Sequence, residues 1–540
     1  AVRVVPRCEA SDDGRGRRVV AAGEWVVPGE RCVQERPLVV SLLPRRRSER
    51  CGYCCAAIDD PAACVRCELC NEACWCDAEC ERRSRHAGRE CAALSALGGG
   101  ASETVVVALK LCLLSENDKR AIVSALETHA HDLDDETRRQ YSNAAQGLAA
   151  LVNSTNAASP RDDVTPAEVL GYLCALATNA VGVVDHDPPT SRLPQRFTGA
   201  APASSDTERA SFLAFERAAA WFADRDGALN GVVVAVALAP DAVAACNHAC
   251  VPSASVACAI VRGETPLVTV RAVQMLRPGD ELTISYLPLA GLPTHERRAT
   301  LRRAYHFDCD CAACESTDAA RLDALFFEED DRLGANDRGG DPGAFADVLE
   351  AARRKRDAAQ FAQAVARARR AVAPLGNAHR AKLAVQLALL AGALAGLDAG
   401  FASPEAALDA VRDAVRPLER DADLAALAID PVNLARLLCV GSALGATPRE
   451  TARWVPEAIR LFRVHLGAES ALARNARRLL DLSDAGAPGG DSGGDDGEWS
   501  ASETADGESR KRARTCVGSP ARDDHSETQG APRLPRGPSS

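Results

Sequence analysis

Residues 51–91 read CGYCCAAIDDPAACVRCELCNEACWCDAECERRSRHAGREC, and ten of the chain's 22 cysteines fall within them. Cys51-x2-Cys54 and Cys67-x2-Cys70 are pairs in which two thiolates can converge on one metal, and Cys76-x3-Cys80 and His86-x4-Cys91 follow them. Eight such ligands make two tetrahedral zinc sites of the structural kind, with no position open to a substrate. The segment has few large apolar residues, so metal binding must supply its folding energy. Cys55, Cys64 and Cys74 are further thiols, and Cys64-x2-Cys67 is a competing pair. Clustered cysteines also occur in secreted disulfide domains. The CxxC spacing argues against that here, as does the N-terminal AVRVVPRCEA, which lacks a signal peptide's continuous apolar region. The expectation is an intracellular, metal-loaded chain.

The whole chain has 540 residues, too many for one ordinary core and enough for about two to four domains. A hydrophobic share of 46% and a charged share of 26% exclude a wholly disordered, collagen-like or membrane-embedded chain. No run of 18 apolar residues occurs, and no membrane association is expected. With a net charge of −11, the molecule as a whole is not a polyanion binder. The chain begins at Ala1 without Met, which leaves targeting at that end open.

Upstream of the cysteines, Val2–Val5, Val19-Val20 and Arg31–Glu35 read as short strands, separated by turns at Gly14-Arg15-Gly16 and Pro28-Gly29. From Asp118 to Val152 the apolar spacing predicts helix, and Thr165-Pro166-Ala167-Glu168 opens a second one with a capping box. Residues 186–206 read as a surface loop. Strands are expected at Val232–Ala237, Ser255–Arg262, Pro266–Ala272 and Glu281–Tyr286. Ala319–Leu482 predicts antiparallel helices, and the Gly-, Ser- and Asp-rich chain beyond is too polar to pack.

A second constellation is split along the chain: Asn247-His248-Ala249-Cys250, then Gly279–Tyr286, then Tyr305-His306-Phe307-Asp308-Cys309-Asp310-Cys311-Ala312-Ala313-Cys314. Cys309, Cys311 and Cys314 give three thiolates, and Cys250 is the nearest fourth inside a motif. A zinc there would staple the last segment over Asn247-His248, with Tyr286, Tyr305 and Phe307 lining the pocket so made.

These blocks resemble known modules. CGYC, CELC, CWCDAEC and HAGREC are similar to a MYND zinc finger. NHAC, GDELTISY and FDCDCAAC are similar to the core and cysteine-rich tail of a SET methyltransferase domain, and DGRGRRVVAAGEWVVPGE to its first strands. A MYND finger inserted into SET is the architecture of the SET-and-MYND protein-lysine methyltransferase family. The resemblance implies an α+β multidomain chain. Its parts are an N-terminal SET piece (1–50), the MYND finger (51–91), a helical insertion (92–228), core SET (229–290), a post-SET zinc segment (291–318), a helical, tetratricopeptide-like domain (319–484) and a disordered tail (485–540).

By resemblance, three zincs are expected. Cys51, Cys54, Cys76 and Cys80 would hold the first, and Cys67, Cys70, His86 and Cys91 the second. Cys250, Cys309, Cys311 and Cys314 would hold the third. S-adenosylmethionine is expected against Gly14, Arg15, Gly16, Asn179, Asn247, His248 and Phe307. Tyr286 is the expected catalytic phenol, and Tyr305 completes the lysine channel. This chain departs from the family at Ala249 (usually Ser), Ser253 (commonly Asn), Ala239 (an aromatic before Pro240) and Val181 (a Phe).

The expected function is protein-lysine methylation on a histone or another protein. A catalytically inactive zinc-dependent interaction scaffold is the alternative that those departures keep open. Protein partners would dock on the MYND finger and the C-terminal helices. Nucleic acid is a weaker expectation, resting on Arg45-Arg46-Arg47 with Arg50. A monomer is the default. Ser509–Arg514 resembles a nuclear import signal, so cytoplasm and nucleus are the expected compartments.

Overall fold

The structure is a computed structural model. It describes residues 3–4, 8–12, 17–21, 23–58, 60, 64–84, 86, 88–98, 101–115, 119, 126–155, 163–186, 232–287, 292–315, 320, 323–324, 358–373, 379, 382–383, 385–387, 389–390, 393, 403–419 and 429–485. Gly14-Arg15-Gly16, most of the loop after residue 186, the first helices expected after residue 319 and the basic run at 509–514 lie outside these residues.

The N-terminal region is β-rich, as its β-branched residues require. It contains β1 (Arg3–Val4), β2 (Cys8–Asp12), β3 (Arg17–Ala21), β4 (Arg31–Glu35) and β5 (Val39–Leu42). Within the cysteine segment lie β6 (Val65–Arg66), β7 (Cys74–Trp75) and α1 (Ala78–Ser84), followed by α2 (Arg89–Leu97) and α3 (Glu103–Cys112).

The helix expected from Asp118 is interrupted. Asp134 caps α4 (Asp135–Ser154) by accepting from Thr137 N at 2.7 Å, and residues 127–134 ahead of it are turns and loop. The capping box at Thr165 forms as the sequence predicts, opening α5 (Pro166–Asn179). The stretch read as helical then closes on a strand, β8 (Ala180–Asp185), because Val181, Val183 and Val184 favour an extended chain.

Next come β9 (Val232–Leu238), β10 (Asn247–His248), β11 (Ala254–Ala259), β12 (Leu267–Ala272) and β13 (Thr283–Ile284). One sheet has the order β1-β4-β12-β11 and another β5-β9-β8, while β2 and β3 form a hairpin. The strand expected over Glu281–Tyr286 is only two residues long, since it pairs with the equally short β10. That pairing is parallel, Asn247 against Thr283 and His248 against Ile284. It threads the two motifs side by side under a core of Val19, Val26, Val33, Val268, Val270 and Leu282.

The remaining helices are α6 (Thr294–Tyr305), α7 (Ala312–Glu315), α8 (Ala358–Val372), α9 (Pro404–Leu418), α10 (Pro431–Ala443), α11 (Pro448–His465) and α12 (Ala471–Ala485). α9 to α12 bury an Ala/Leu-rich core of their own. α11 also packs on β11 and β12, where Ser255 Oγ donates to the His465 carbonyl at 3.4 Å. No described helix is long and apolar enough to cross a membrane.

Candidate active site and metal centres

The first two cysteine groups form where β6, β7, α1 and α2 meet. Cys51, Cys54, Cys76 and Cys80 place all four sulfurs within 4.8 Å of one another, as do Cys67, Cys70, Cys91 and the His86 ring. None of the described cysteines is in a disulfide. The donor chemistry fits zinc in both groups. A hydrogen bond from Cys54 draws the Cys51 thiol down to about 5, and an easily formed thiolate is what a metal needs.

His86 aims Nε2 at Cys70 Sγ (3.2 Å) while Nδ1 meets Glu90 Oε1 (3.2 Å), a carboxylate–imidazole pair that orients the ring. Gly88 lies in the link between His86 and Cys91. Its φ of +83° suits glycine, and the turn brings Cys91 N back to the His86 carbonyl at 3.1 Å.

Of the further thiols, Cys74 points at the Arg47 carbonyl (2.9 Å), and neither Cys55 nor Cys64 joins a cluster among the described residues. The arginine run is internally engaged: Arg46 bonds Glu49, Arg47 bonds Glu72 and the Ala101 carbonyl, and Arg50 bonds Asp185. Those three guanidiniums are paired within the protein, while Arg45 of the same run is exposed.

The third group gathers Cys250, Cys309, Cys311 and Cys314 from segments about sixty residues apart, again within 4.8 Å. Arg297, which the sequence reading missed, supports it. Its buried guanidinium donates to the carbonyls of Leu292 (2.7 Å) and Ala313 (2.9 Å) and reaches Cys314 Sγ at 3.8 Å.

Beside this cluster lie the residues of the expected pocket. Tyr286 N donates to His248 Nδ1 at 3.1 Å, and Tyr286 OH donates to the Cys246 carbonyl at 2.9 Å. Burial pushes the phenol's pKa well above its ordinary range, so it stays neutral. Burial also lowers His248 to about 4, leaving the imidazole neutral and Nδ1 free to accept. The Tyr305 ring stands 4.8 Å from that of Tyr286, and Phe307 lies 6.3 Å away, edge-on. Tyr305 OH donates to the Tyr286 carbonyl at 3.3 Å.

Asn247 is exposed at the rim and donates to Glu281 Oε1 at 2.6 Å, while Arg18 lies 4.0 Å from Glu281 Oε2. Leu282 N donates to Val19 O, so the β2–β3 hairpin runs alongside. This π-rich wall with a polar rim fits a sulfonium or alkylammonium group. Asn179 bonds the Glu127 and Ala175 carbonyls at 2.8 Å and makes no hydrogen bond to the aromatic group.

Two of the departures from the family pattern have structural roles. Ser253 is buried, donates to the Glu281 carbonyl (2.9 Å) and accepts from Thr283 N (2.9 Å), clasping the two motif strands. Ala249 is buried beneath Ile284, to whose carbonyl it donates. Glu35, also missed, is 1% exposed. Its carboxylate accepts from Asp241 N, Ala242 N and Val243 N at 2.9–3.0 Å, fixing the turn that leads into Asn247. An acid two residues after Val33, on the same inward face of β4, was the signal available.

A SET domain model matches residues 21–287. N-lysine methyltransferase SMYD2 of Gallus gallus is 26% identical over 311 residues, 56% of this chain and 58% of the relative. Histone-lysine N-methyltransferase SMYD3 of Mus musculus is 25% identical over 317 residues, 58% of this chain and 62% of the relative. SMYD2 of Rattus norvegicus reaches 43% over 82 residues, which is 15% of this chain and 17% of the relative. The chain thus spans under two thirds of the curated relatives it matches. With the SET match, these relatives and the paired cysteine groups together, the chain carries a SET domain and is similar to SET- and MYND-type protein-lysine methyltransferases.

Proposed function

We propose that this chain is an S-adenosylmethionine-dependent protein-lysine N-methyltransferase whose reacting centre lies against Tyr286. The observation that carries the reading is the neutral Tyr286 phenol, anchored on the Cys246 carbonyl and flanked by Tyr305 and Phe307. Having donated its own proton, the Tyr286 oxygen keeps lone pairs to accept from a substrate amine and so orient it. The faces of Tyr305 and Phe307 would hold the alkyl stem and exclude water. Neutral His248 positions Tyr286 through its backbone amide.

S-adenosylmethionine, when bound, supplies a sulfonium methyl for in-line transfer to an amine. Asn247, His248 and Phe307 would hold it, together with Gly14, Arg15, Gly16 and Asn179 by family resemblance. A lysine of ordinary pKa near 10.4 must lose its proton to solvent before it reacts. The three cysteine groups would hold zinc structurally, the third tying the segment that carries Tyr305 and Phe307 onto the Asn247-His248 strand. Histone and other protein substrates both suit this chemistry. Protein partners on the finger and helices, and residence in cytoplasm and nucleus, belong to the same reading.

The test is calorimetric titration of zinc-loaded protein with S-adenosylmethionine and S-adenosylhomocysteine, followed by mass spectrometry of peptide arrays for added methyl groups. Micromolar binding with methylated lysines supports the proposal. Folded, three-zinc protein that binds neither compound sinks it and leaves the interaction scaffold.

A further inference from the structure

Away from the SET core, the C-terminal helices enclose a cavity of about 270 Å³. Among the described residues, its lining holds Arg369 on α8, Lys382, Arg416 on α9 and the carboxylate Asp413, with Val372 and Pro417 as apolar contacts. The two arginines alone outnumber that one carboxylate and give the described lining a positive excess. Gln386 also lines the cavity. It is 5% exposed, and its Oε1 has no hydrogen-bond partner. A buried acceptor without a donor is costly, and native structures seldom leave one unless a ligand or water completes it.

We infer that this cavity binds a phosphomonoester carrying an adjacent N–H or O–H donor. A phosphate monoester holds a charge near −2 at neutral pH and presents three acceptor oxygens, which suits the paired guanidiniums of Arg369 and Arg416. Gln386 Oε1 and Asp413 both accept, so they ask for a donor beside the phosphate. The volume sits near the low end of ligand pockets, roughly 300 Å³, which favours a headgroup or a single phosphorylated side chain over a whole nucleotide cofactor. Both a phosphorylated protein segment and a free phosphorylated metabolite carry this chemistry. The site is independent of the SET pocket and of the proposed methyl transfer.

The test is isothermal titration of zinc-loaded full-length chain with four probes: capped O-phosphoserine, capped serine, glycerol 3-phosphate and a capped glutamyl dipeptide. The inference expects both phosphorylated probes to bind and serine not to. Tighter capped phosphoserine points to a protein segment, and tighter glycerol 3-phosphate to a metabolite. R369Q and R416Q, both at exposed side chains, should each weaken binding about tenfold, the scale of one charge-assisted hydrogen bond. Q386L should weaken it as well, with circular dichroism and zinc content unchanged. If Q386L does not fold, the two arginine variants decide. Equal binding of serine and phosphoserine, tighter binding of the glutamyl dipeptide, or unaltered affinity in both arginine variants overturns the inference.

Discussion

The backbone amide of Tyr286 donates to His248 Nδ1 at 3.1 Å, joining two motifs 38 residues apart in one hydrogen bond. The bond requires an unprotonated Nδ1. Burial keeps it so by holding the imidazole near 4, well under its usual 6.5. The Tyr286 ring therefore takes its position from His248, and its hydroxyl from Cys246.

Replacing Tyr286 with Phe removes that hydroxyl while keeping the ring. Methyl transfer should fall by about a hundredfold, the scale of one oriented polar group at a reacting centre, with S-adenosylmethionine affinity within a fewfold of the parent. Initial rates with a labelled methyl donor read the first quantity and calorimetry the second. Unchanged turnover would remove Tyr286 from the mechanism.

Glu35 serves three backbone amides at once, so Glu35→Gln leaves at least one buried donor poorly paired. The expected loss is about 1–3 kcal/mol of stability, read from urea denaturation of the zinc-loaded chain. Glu35→Leu should cost more, because all three amides lose their acceptor.

Zinc content should be three per chain by emission spectrometry. Cys309→Ser should lower it to two and leave the finger's pair intact, because the clusters share no ligand. Arg297→Met should weaken the same third site, since the guanidinium ties the Leu292 and Ala313 carbonyls around it. A ratio near one in the parent protein would overturn the ligand scheme.

Burial, reinforced by Arg460, holds His465 near 4, below its ordinary 6.5. A histidine depressed on folding costs nothing above pH 6.5, where it is neutral folded or unfolded; as pH falls toward 4 the unfolded chain takes up a proton that the folded one refuses, and stability drops. His465→Gln should flatten the fall in stability across this window, by roughly 3 kcal/mol at its acid end.

Gly441 on α10 faces Trp454 and Val411, and a Cβ there would lie 2.6 Å and 2.8 Å from them. Gly441→Ala should cost about 1–3 kcal/mol by overpacking, visible as a lower melting temperature with zinc content unchanged.

Much of this was written in the sequence. The CxxC pairs, the NHAC and GDELTISY motifs and the Thr165 capping box are local, because ligand spacing and helix capping act over a few residues. The β-branched runs marked most of the strands, although the one at Ala180–Asp185, which follows α5 without a break, was not among those expected. Tertiary structure alone decided what depends on contacts distant in sequence. It put Glu35 under the turn at 241–243, Arg297 behind the third cysteine group, and Ser253 between the motif strands. It also paired Arg46, Arg47 and Arg50 with acids of this chain and formed a cationic cavity among helices that read only as Ala- and Leu-rich. Spacing reports which groups can share a metal or a helix face. Which buried polar group meets which partner is set only when the chain has folded and each donor must find an acceptor.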